Sequence, residues 1–205
     1  MGIKKVVESV KKEVRVIQGE DTKDKLYTSE QEYPDELSAK NAFAQSREKL
    51  FNVNAWSNLS GLSSTFQLHD KSGKPKQATK PQEGDYIWID LPGPLPKNWV
   101  RVTNLHENEN MINFTVSPSE NPQEKENNQE TKHFFTQDAT STFQVELQGK
   151  RIIAKEIGKD EAINNQGNEA GSRAMINTLI AEGGWAVFQK IQWQKITDYL
   201  VHKID

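Results

Sequence analysis

Few side chains in this sequence lie at spacings that would let them bind or transform a small molecule. Asp90 lies in a stretch with strand-like alternation, which places it on the same face as Tyr86 and Trp88. In the next such stretch, Arg101 shares a face with Trp99. If this face lined a cavity, Asp90 and Arg101 would orient a polar group of a ligand. The alternative is an ion pair between neighbouring strands on a solvated face, which is common in sheets and weakly stabilising.

Aromatic residues in the strands and near the C-terminus extend this hypothesis. Large rings can line an apolar pocket, or they can fill the core between a sheet and a helix. The sequence leaves both interpretations open. The predicted ligand-binding residues are Tyr86, Trp88, Asp90, Trp99, Arg101, Trp185 and Trp193.

The sequence predicts no catalytic residue, no metal site and no cofactor. Its four histidines, His69, His106, His133 and His202, are too far apart along the chain for a local metal-binding motif. His133 could act as a general base if it faced a cleft, although a histidine at a strand edge is the simpler interpretation. No nucleophile elbow, Walker loop or dinucleotide fingerprint occurs. The lack of cysteine excludes disulfides, thiolate nucleophiles and thiolate zinc sites.

Composition limits the classes of protein to which this chain can belong. Its 205 residues contain 26 Lys plus Arg against 29 Asp plus Glu, and this slightly acidic balance argues against a dedicated nucleic-acid binder. No apolar run approaches the ~18 residues of a membrane-spanning helix. Charges also interrupt the N-terminal stretch, where a signal peptide would need an apolar core. We therefore expect a cytoplasmic protein that neither inserts into a membrane nor binds nucleic acid.

The N-terminal part of the chain predicts mainly helix. Residues 3–17 carry apolar side chains at helical spacing but end in β-branched residues. We expect a helical turn or two there, followed by a strand at about 13–18. A polar loop is predicted for 19–34. Asp35 or Ser38 then caps a helix, and a second short helix follows it.

From Ser63 the apolar period changes to two, which is typical of strands with one buried face. Helical spacing returns near Ser172 and again in the longest predicted helix, 185–203, whose apolar stripe includes Ile191 and Trp193. The predicted strands lie at 63–69, 85–91, 99–105, 111–116, 132–135, 140–147 and 151–157.

Short connections between consecutive strands favour antiparallel pairing, and an antiparallel sheet needs a cover for its apolar face. The sequence therefore predicts an α+β fold, an antiparallel sheet of about six to seven strands packed against the long C-terminal helix, with two helices near the N-terminus. We expect one domain over residues 1–205, with about 1–12 and 19–34 loosely ordered. This order of elements resembles the helix-grip fold of the START-like superfamily. The resemblance implies a curved sheet that wraps the last helix and leaves a cavity between them.

Three segments carry a second resemblance: FNVNAW at 51–56, GDYIWIDLPGP at 84–94 and KHFFTQDATSTFQV at 132–145. Together they are similar to segments of an uncharacterised family of bacterial cytosolic proteins. This resemblance implies a single bacterial domain, and it gives no activity, cofactor or site residue.

Three functions are compatible with these patterns. The first is non-catalytic binding of a small apolar or amphipathic ligand in a cavity between the sheet and the C-terminal helix. The second is a protein-interaction module, in which the polar loops 117–130 and 158–171 and the proline-rich LPGPLP at 91–96 bind a protein partner. The third is an enzyme, such as a hydrolase or cyclase, that uses the polar residues named above. We rank ligand binding first, because the order of elements and the aromatic strands both favour it.

Overall fold

The computed structural model describes residues 23–77, 79–91, 98–124, 136–161 and 184–205. These ranges contain seven β-strands and three α-helices. In chain order they are β1 (Lys23–Glu32), α1 (Glu36–Phe51), α2 (Val53–Trp56), β2 (Thr65–His69), β3 (Tyr86–Asp90), β4 (Asn98–Glu107), β5 (Met111–Ser119), β6 (Thr140–Gln148), β7 (Arg151–Glu161) and α3 (Gly184–Leu200).

All seven strands form one antiparallel sheet, in the order β1-β7-β6-β5-β4-β3-β2. The helices pack against this sheet: α1 contacts β6 and β7, α3 contacts β1 and β7, and the two helices contact each other. The predicted α+β fold is therefore confirmed, and the sheet with its C-terminal helix has the helix-grip arrangement. None of the helices in the described ranges is long and apolar enough to cross a membrane.

The core lies between the sheet and the helices. Trp56 is only 1% exposed, and its ring packs against Phe66, Phe114 and Phe143 with centroid distances of 5.7, 6.1 and 5.0 Å. Its indole Nε1 donates to the carbonyl oxygen of Lys49 at 2.9 Å, so the polar edge of the ring is satisfied as well. One side chain thus joins α2 to the nearby strand β2 and to the more distant strands β5 and β6.

Side chains accept hydrogen bonds from backbone N–H groups at two places, the start of α1 and the edge of the sheet. Asp35, one of the two predicted caps, accepts a hydrogen bond from the backbone N–H of Ser38 at 2.7 Å and begins α1. At the edge of the sheet, the hydroxyl of Ser57 accepts from the backbone N–H of Phe66 at 2.8 Å. The second bond satisfies a donor on the outer side of β2, which lowers the tendency of this edge strand to pair with another chain.

The loop predicted for 19–34 is wrong over residues 23–32, which form the edge strand β1. The inward positions of this strand are polar, so the apolar alternation that reveals a strand is missing. Ser29 is buried and shares a hydrogen bond of 2.9 Å with Thr197 of α3, whereas the apolar Leu26 is 62% exposed. Because the helix face that covers β1 is itself polar here, hydrogen bonds take the place of apolar contacts.

The predicted C-terminal helix is confirmed, but its buried face differs from the predicted stripe. Ile191 is 47% exposed, whereas Gln189 and Gln192 are buried. Gln192 Nε2 donates to Ser63 Oγ at 3.2 Å, and Gln189 Nε2 donates to Glu161 Oε2 at 3.4 Å. Buried amides are tolerated where they find such partners, so apolar spacing alone misplaces the face.

Several predicted segments lie outside the described residues. They are the N-terminal helical turns and strand at 3–18, most of the proline-rich segment 91–96, the strand at 132–135 and the helix that begins near Ser172. The polar loops 117–130 and 158–171 are described only in part, and their first residues belong to β5 and β7.

Candidate functional site

A cavity of about 90 Å³ lies between the sheet and the helices α2 and α3. This volume exceeds the ~30 Å³ that one water occupies in the liquid and is smaller than the ~150 Å³ apolar cavity known to accept benzene. The cavity therefore has room for a small apolar group. Its mainly apolar wall includes Trp56, Phe66, Ile87, Ile89, Val100, Phe143 and Trp193.

Strand alternation and one helical ring build this wall. In β3, Ile87 and Ile89 point toward the helices, and Val100 of β4 lies directly opposite Ile87. From the helix side, Trp193 brings its ring centroid to 5.4 Å from that of Phe143. The wall is therefore branched aliphatic on the β3–β4 side and aromatic on the side of α3 and β6.

Five of the predicted ligand-binding residues lie on the other face of the sheet. In β3 and β4 they alternate with the cavity-lining residues, so their side chains point away from the helices. Of the two interpretations that the sequence left open, the structure does not place this aromatic face at the cavity, because the smaller branched residues between the rings take the inward positions. The five residues are Tyr86, Trp88, Asp90, Trp99 and Arg101.

Asp90 and Arg101 are also separated from each other along the sheet. The register pairs Arg101 with Tyr86 and pairs Asp90 with Thr65, so the two charges lie near opposite ends of β3. Four residues of strand correspond to about 13 Å. Neither the polar ligand clamp nor the cross-strand ion pair considered from the sequence forms in this part of the described structure.

The structure describes the side chain of only one of the two C-terminal tryptophans that were predicted to bind a ligand. Trp193 lines the cavity, whereas the side chain of Trp185 lies outside the described part of the chain. Ligand binding by any of the seven predicted residues stays a prediction.

Ser64, Asn98 and Gln192 contribute polar groups to the cavity wall. A further polar group, here called the polar end, adjoins β6 and β7, and the sequence analysis did not predict it. Thr140 and Ser141 at the start of β6, Glu161 at the end of β7 and Gln189 of α3 all line this end. The ammonium of Lys25, from β1, lies 3.0 Å from Glu161 Oε2 and also donates to Gln189 Oε1. A buried carboxylate is thus held beside the apolar space by one cation and one amide.

A β-bulge turns Glu161 toward the cavity. Along β7 every second residue from Ile152 to Gly158 faces inward. If this alternation continued, Glu161 would face outward. Asp160 adopts the left-handed conformation, with φ 52°, and the pairing with β1 shifts register at this point. Gly158 lies next to the side chain of Glu161, and a Cβ at this position would clash with the Glu161 carboxylate.

A second carboxylate, that of Glu156 in β7, lies directly behind this polar end and is fully buried. Its Oε1 accepts a hydrogen bond from the hydroxyl of Ser141, and its Oε2 has no hydrogen-bond partner among the described residues. Burial raises the pKa of Glu156 to about 8, and the charge of Glu161 adds to this effect. Burial also raises the pKa of Tyr27, on the adjacent β1, to about 12. Glu156 is therefore mostly protonated at neutral pH.

Strand alternation in the sequence does not reveal either glutamate. Glu156 is in phase with Ile152 and Ala154, but Ile153 and Ile157 lie on the opposite face of the same predicted strand, so alternation alone does not say which face is buried. Glu161 does not follow from this pattern either, because the left-handed backbone at Asp160 is a tertiary feature. Neither glutamate could therefore be assigned to the cavity from the sequence.

The described histidines do not line the cavity. His69 is buried at the end of β2, where its Nδ1 lies 3.0 Å from the carbonyl oxygen of Gly73. His106 is exposed in β4, and His202 follows α3, where burial lowers its pKa. His133 lies outside the described ranges. Within those ranges, no group of three His, Cys, Asp or Glu side chains could hold a metal ion.

Comparisons with known proteins give information on the fold. No family model and no curated protein matches the sequence. A hypothetical protein from Helicobacter pylori has a similar structure, with a TM-score of 0.54, 11% identity and 94% of each chain covered. Norcoclaurine synthase from Thalictrum flavum matches with a TM-score of 0.44, 11% identity and coverage of 92% of this chain and 93% of that one. For ginseng major latex-like protein 151 from Panax ginseng, the values are 0.38, 10%, 80% and 97%.

At 11% identity, the likeness to the Helicobacter pylori protein concerns the fold alone. It agrees with the helix-grip arrangement described above. The bacterial family predicted from three sequence segments stays a prediction.

Proposed function

We propose that this protein binds a small apolar or amphipathic ligand in the cavity between the sheet and α3. The observation that carries the proposal is an apolar space of about 90 Å³ whose wall includes polar groups at one end. Ligand sites typically combine an apolar wall with a few polar groups that fix orientation. The cytoplasmic location and single domain expected from the sequence belong to the same proposal.

The size of the cavity limits the ligand. A single ring or a short aliphatic chain matches the space far better than a sterol or a fatty acid of ordinary length. Transfer of such a group from water to this wall is favourable through the hydrophobic effect, and the rings of Trp56, Phe143 and Trp193 offer additional contacts.

The test is a pair of variants that place the same ring on opposite faces of β4. Val100 is buried at the cavity wall, so Val100→Phe fills part of the space. Arg101 is the next residue and is exposed on the other face, so Arg101→Phe is the matched control. Toluene, benzyl alcohol, benzylamine and n-hexanol serve as probes, with binding followed by calorimetry and tryptophan fluorescence.

We expect saturable binding of at least one probe to the wild-type protein, loss of that binding in Val100→Phe and its retention in Arg101→Phe. Circular dichroism checks that both variants fold. Saturable binding that survives equally in both variants would place the ligand elsewhere. The absence of saturable binding by all four probes to the wild-type protein would overturn the proposal.

A further inference from the structure

The polar end of the cavity offers more hydrogen-bond acceptors than donors. The carboxylate of Glu161 lines this end, that of Glu156 lies directly behind it, and the single ammonium of Lys25 pairs with Glu161. That ammonium already donates to Glu161 Oε2 and to the amide oxygen of Gln189. The hydroxyl of Ser141 already donates to Glu156. This group therefore holds one more carboxyl group than cations, and at neutral pH the proton on Glu156 balances the charge.

One of the unpartnered buried atoms, Glu156 Oε2, belongs to this group. In the described part of the chain, four buried side-chain polar atoms lack a hydrogen-bond partner, and three of them belong to residues in or directly behind the cavity wall. Two of these three are oxygens, Glu156 Oε2 and Gln192 Oε1, and the third is the indole Nε1 of Trp193. The remaining atom, His69 Nε2, lies outside the wall. Gln192 lies on the side of Ser63, to which its Nε2 donates at 3.2 Å. Buried polar atoms normally have a partner, so Glu156 Oε2 marks where a donor would be accommodated.

The charged and titratable groups that face Glu156 come from the strands around it. β1 presents Lys25 and Tyr27, and β7 presents Glu161. β6 contributes the uncharged hydroxyl of Ser141. From α3, the Gln189 amide bonds to Glu161 and adds no charge. With the tyrosine neutral, one cation faces two acids.

We propose that the polar end of the cavity recognises a small apolar amine, whose ammonium lies beside Ser141 and Glu161 with Glu156 as the additional counter-charge. This inference rests on the proposed function, because it names the head group of the ligand in that same cavity. An ammonium supplies a donor beside Glu156, whose Oε2 has no partner among the described residues, and can replace the proton that balances this carboxyl group. A carboxylate head would meet the ionised Glu161 and a cation that is already engaged, so a fatty acid is disfavoured.

Amine binding should be coupled to proton release. Burial raises the pKa of Glu156 to about 8, so this group is mostly protonated at neutral pH. An ammonium placed beside it favours the ionised form, and the proton is released to solvent. Affinity for an amine should therefore increase from about pH 6 to pH 8, while an aliphatic amine itself stays protonated.

The experiment compares three probes that share one ring and differ in the head group: benzylamine, benzyl alcohol and benzoate. Calorimetry on the wild-type protein gives the three affinities, their pH dependence and, through buffers of different ionisation enthalpy, the number of protons released. We expect benzylamine to bind about tenfold more tightly than benzyl alcohol, which is typical of a hydrogen bond to a charged group, with benzoate weakest. The affinity for benzylamine should rise with pH, and that for benzyl alcohol should not.

Two variants, each of which removes one carboxylate, test where the preference for benzylamine arises. Glu161→Gln should remove the preference for benzylamine over benzyl alcohol. Glu146→Gln should keep it, because Glu146 lies on the opposite face of β6 and pairs with Lys155 at 3.1 Å. The wild-type measurements need no variant, so the test holds even if Glu161→Gln fails to fold.

The outcomes separate this inference from the proposed function. If benzyl alcohol or benzoate binds as tightly as benzylamine, and Val100→Phe blocks that binding, the cavity binds ligands and the amine inference is overturned. If the benzylamine preference persists in Glu161→Gln that folds normally, the assigned head-group site is overturned. If none of the three probes binds the wild-type protein, both the inference and the assignment of these probes to the cavity are overturned.

Discussion

The two faces of β3 and β4 are built from neighbouring residues, yet they differ in what they surround. Ile87, Ile89 and Val100 point toward the helices and line the cavity. Trp88 and Trp99 lie opposite each other on the outer face, where both are partly buried. The cavity is consistent with this division, because branched aliphatic side chains fill less space than rings would. Ring size is therefore a poor guide to which face of a strand points inward, since alternation fixes the face for all residues at once.

The largest contrast should appear when one ring is removed from the core that the inner face packs against and another from the outer face. Trp56→Ala removes the indole at the centre of the core and should lower the free energy of unfolding by about 3–5 kcal/mol. Trp88→Ala removes a half-buried indole from the outer face and should cost about 1–2 kcal/mol. Urea unfolding followed by circular dichroism measures both changes. Equal losses in the two variants would contradict the assignment of the inner face as the core.

Ionisation of a glutamate should also change the stability of the protein differently on the inner and outer faces of the sheet. Burial raises the pKa of Glu156 from 4.5 to about 8, so the folded protein holds this proton more tightly than the unfolded chain does. The resulting stabilisation is full below pH 4.5 and is lost as the pH rises through 8. We expect a loss of about 2–4 kcal/mol over this window, since relaxation around the ionised group reduces the full effect.

Thermal unfolding at a series of pH values measures this contribution. Glu156→Gln cannot ionise and keeps a polar group beside Ser141, so this loss should be absent from the variant. Glu146→Gln is the control on the outer face and should keep the wild-type slope. A wild-type slope in Glu156→Gln would show that another group is responsible.

The smallest expected contrast is between adjacent residues of β4. Val100→Ala removes two methyl groups from the cavity wall and should lower the free energy of unfolding by about 1–2 kcal/mol. Arg101→Ala changes an exposed residue and should alter it by no more than about 0.5 kcal/mol. Chemical denaturation of both variants makes the comparison, and a larger effect at Arg101 would reverse the assigned orientation of the strand.

Most of the fold could be predicted from local patterns. Asp35 caps α1 as its position before the helix predicts, and the strand alternation from Phe66 onward gives the class of sheet. β1 could not be predicted in this way, because Ser29 and its neighbours on the inner face are polar and pair with a polar helix face. Ile191 was misplaced for the same reason, since Gln189 and Gln192 occupy buried positions that spacing assigns to apolar residues.

The candidate site was harder to predict from the sequence than the fold. Trp193 was predicted at the site and lines the cavity, whereas Trp88, Trp99 and Asp90, for which the sequence left the face open, lie on the face away from the cavity. The sequence shows that residues alternate, but two opposite faces share that alternation. The packing partner decides which face is inner, and that partner lies far away along the chain.

The sequence by itself determined which segments alternate with period two, where α1 is capped and that the last helix is long enough to cover a sheet. These properties depend on neighbouring residues and backbone stereochemistry, which any window of the chain contains. The tertiary structure alone decided that Ile87 and Val100 face the helices, that Lys25 reaches Glu161, and that the left-handed turn at Asp160 brings this carboxylate inside. Those outcomes depend on contacts between elements up to about 140 residues apart, and their free energies exist only once the chain is packed.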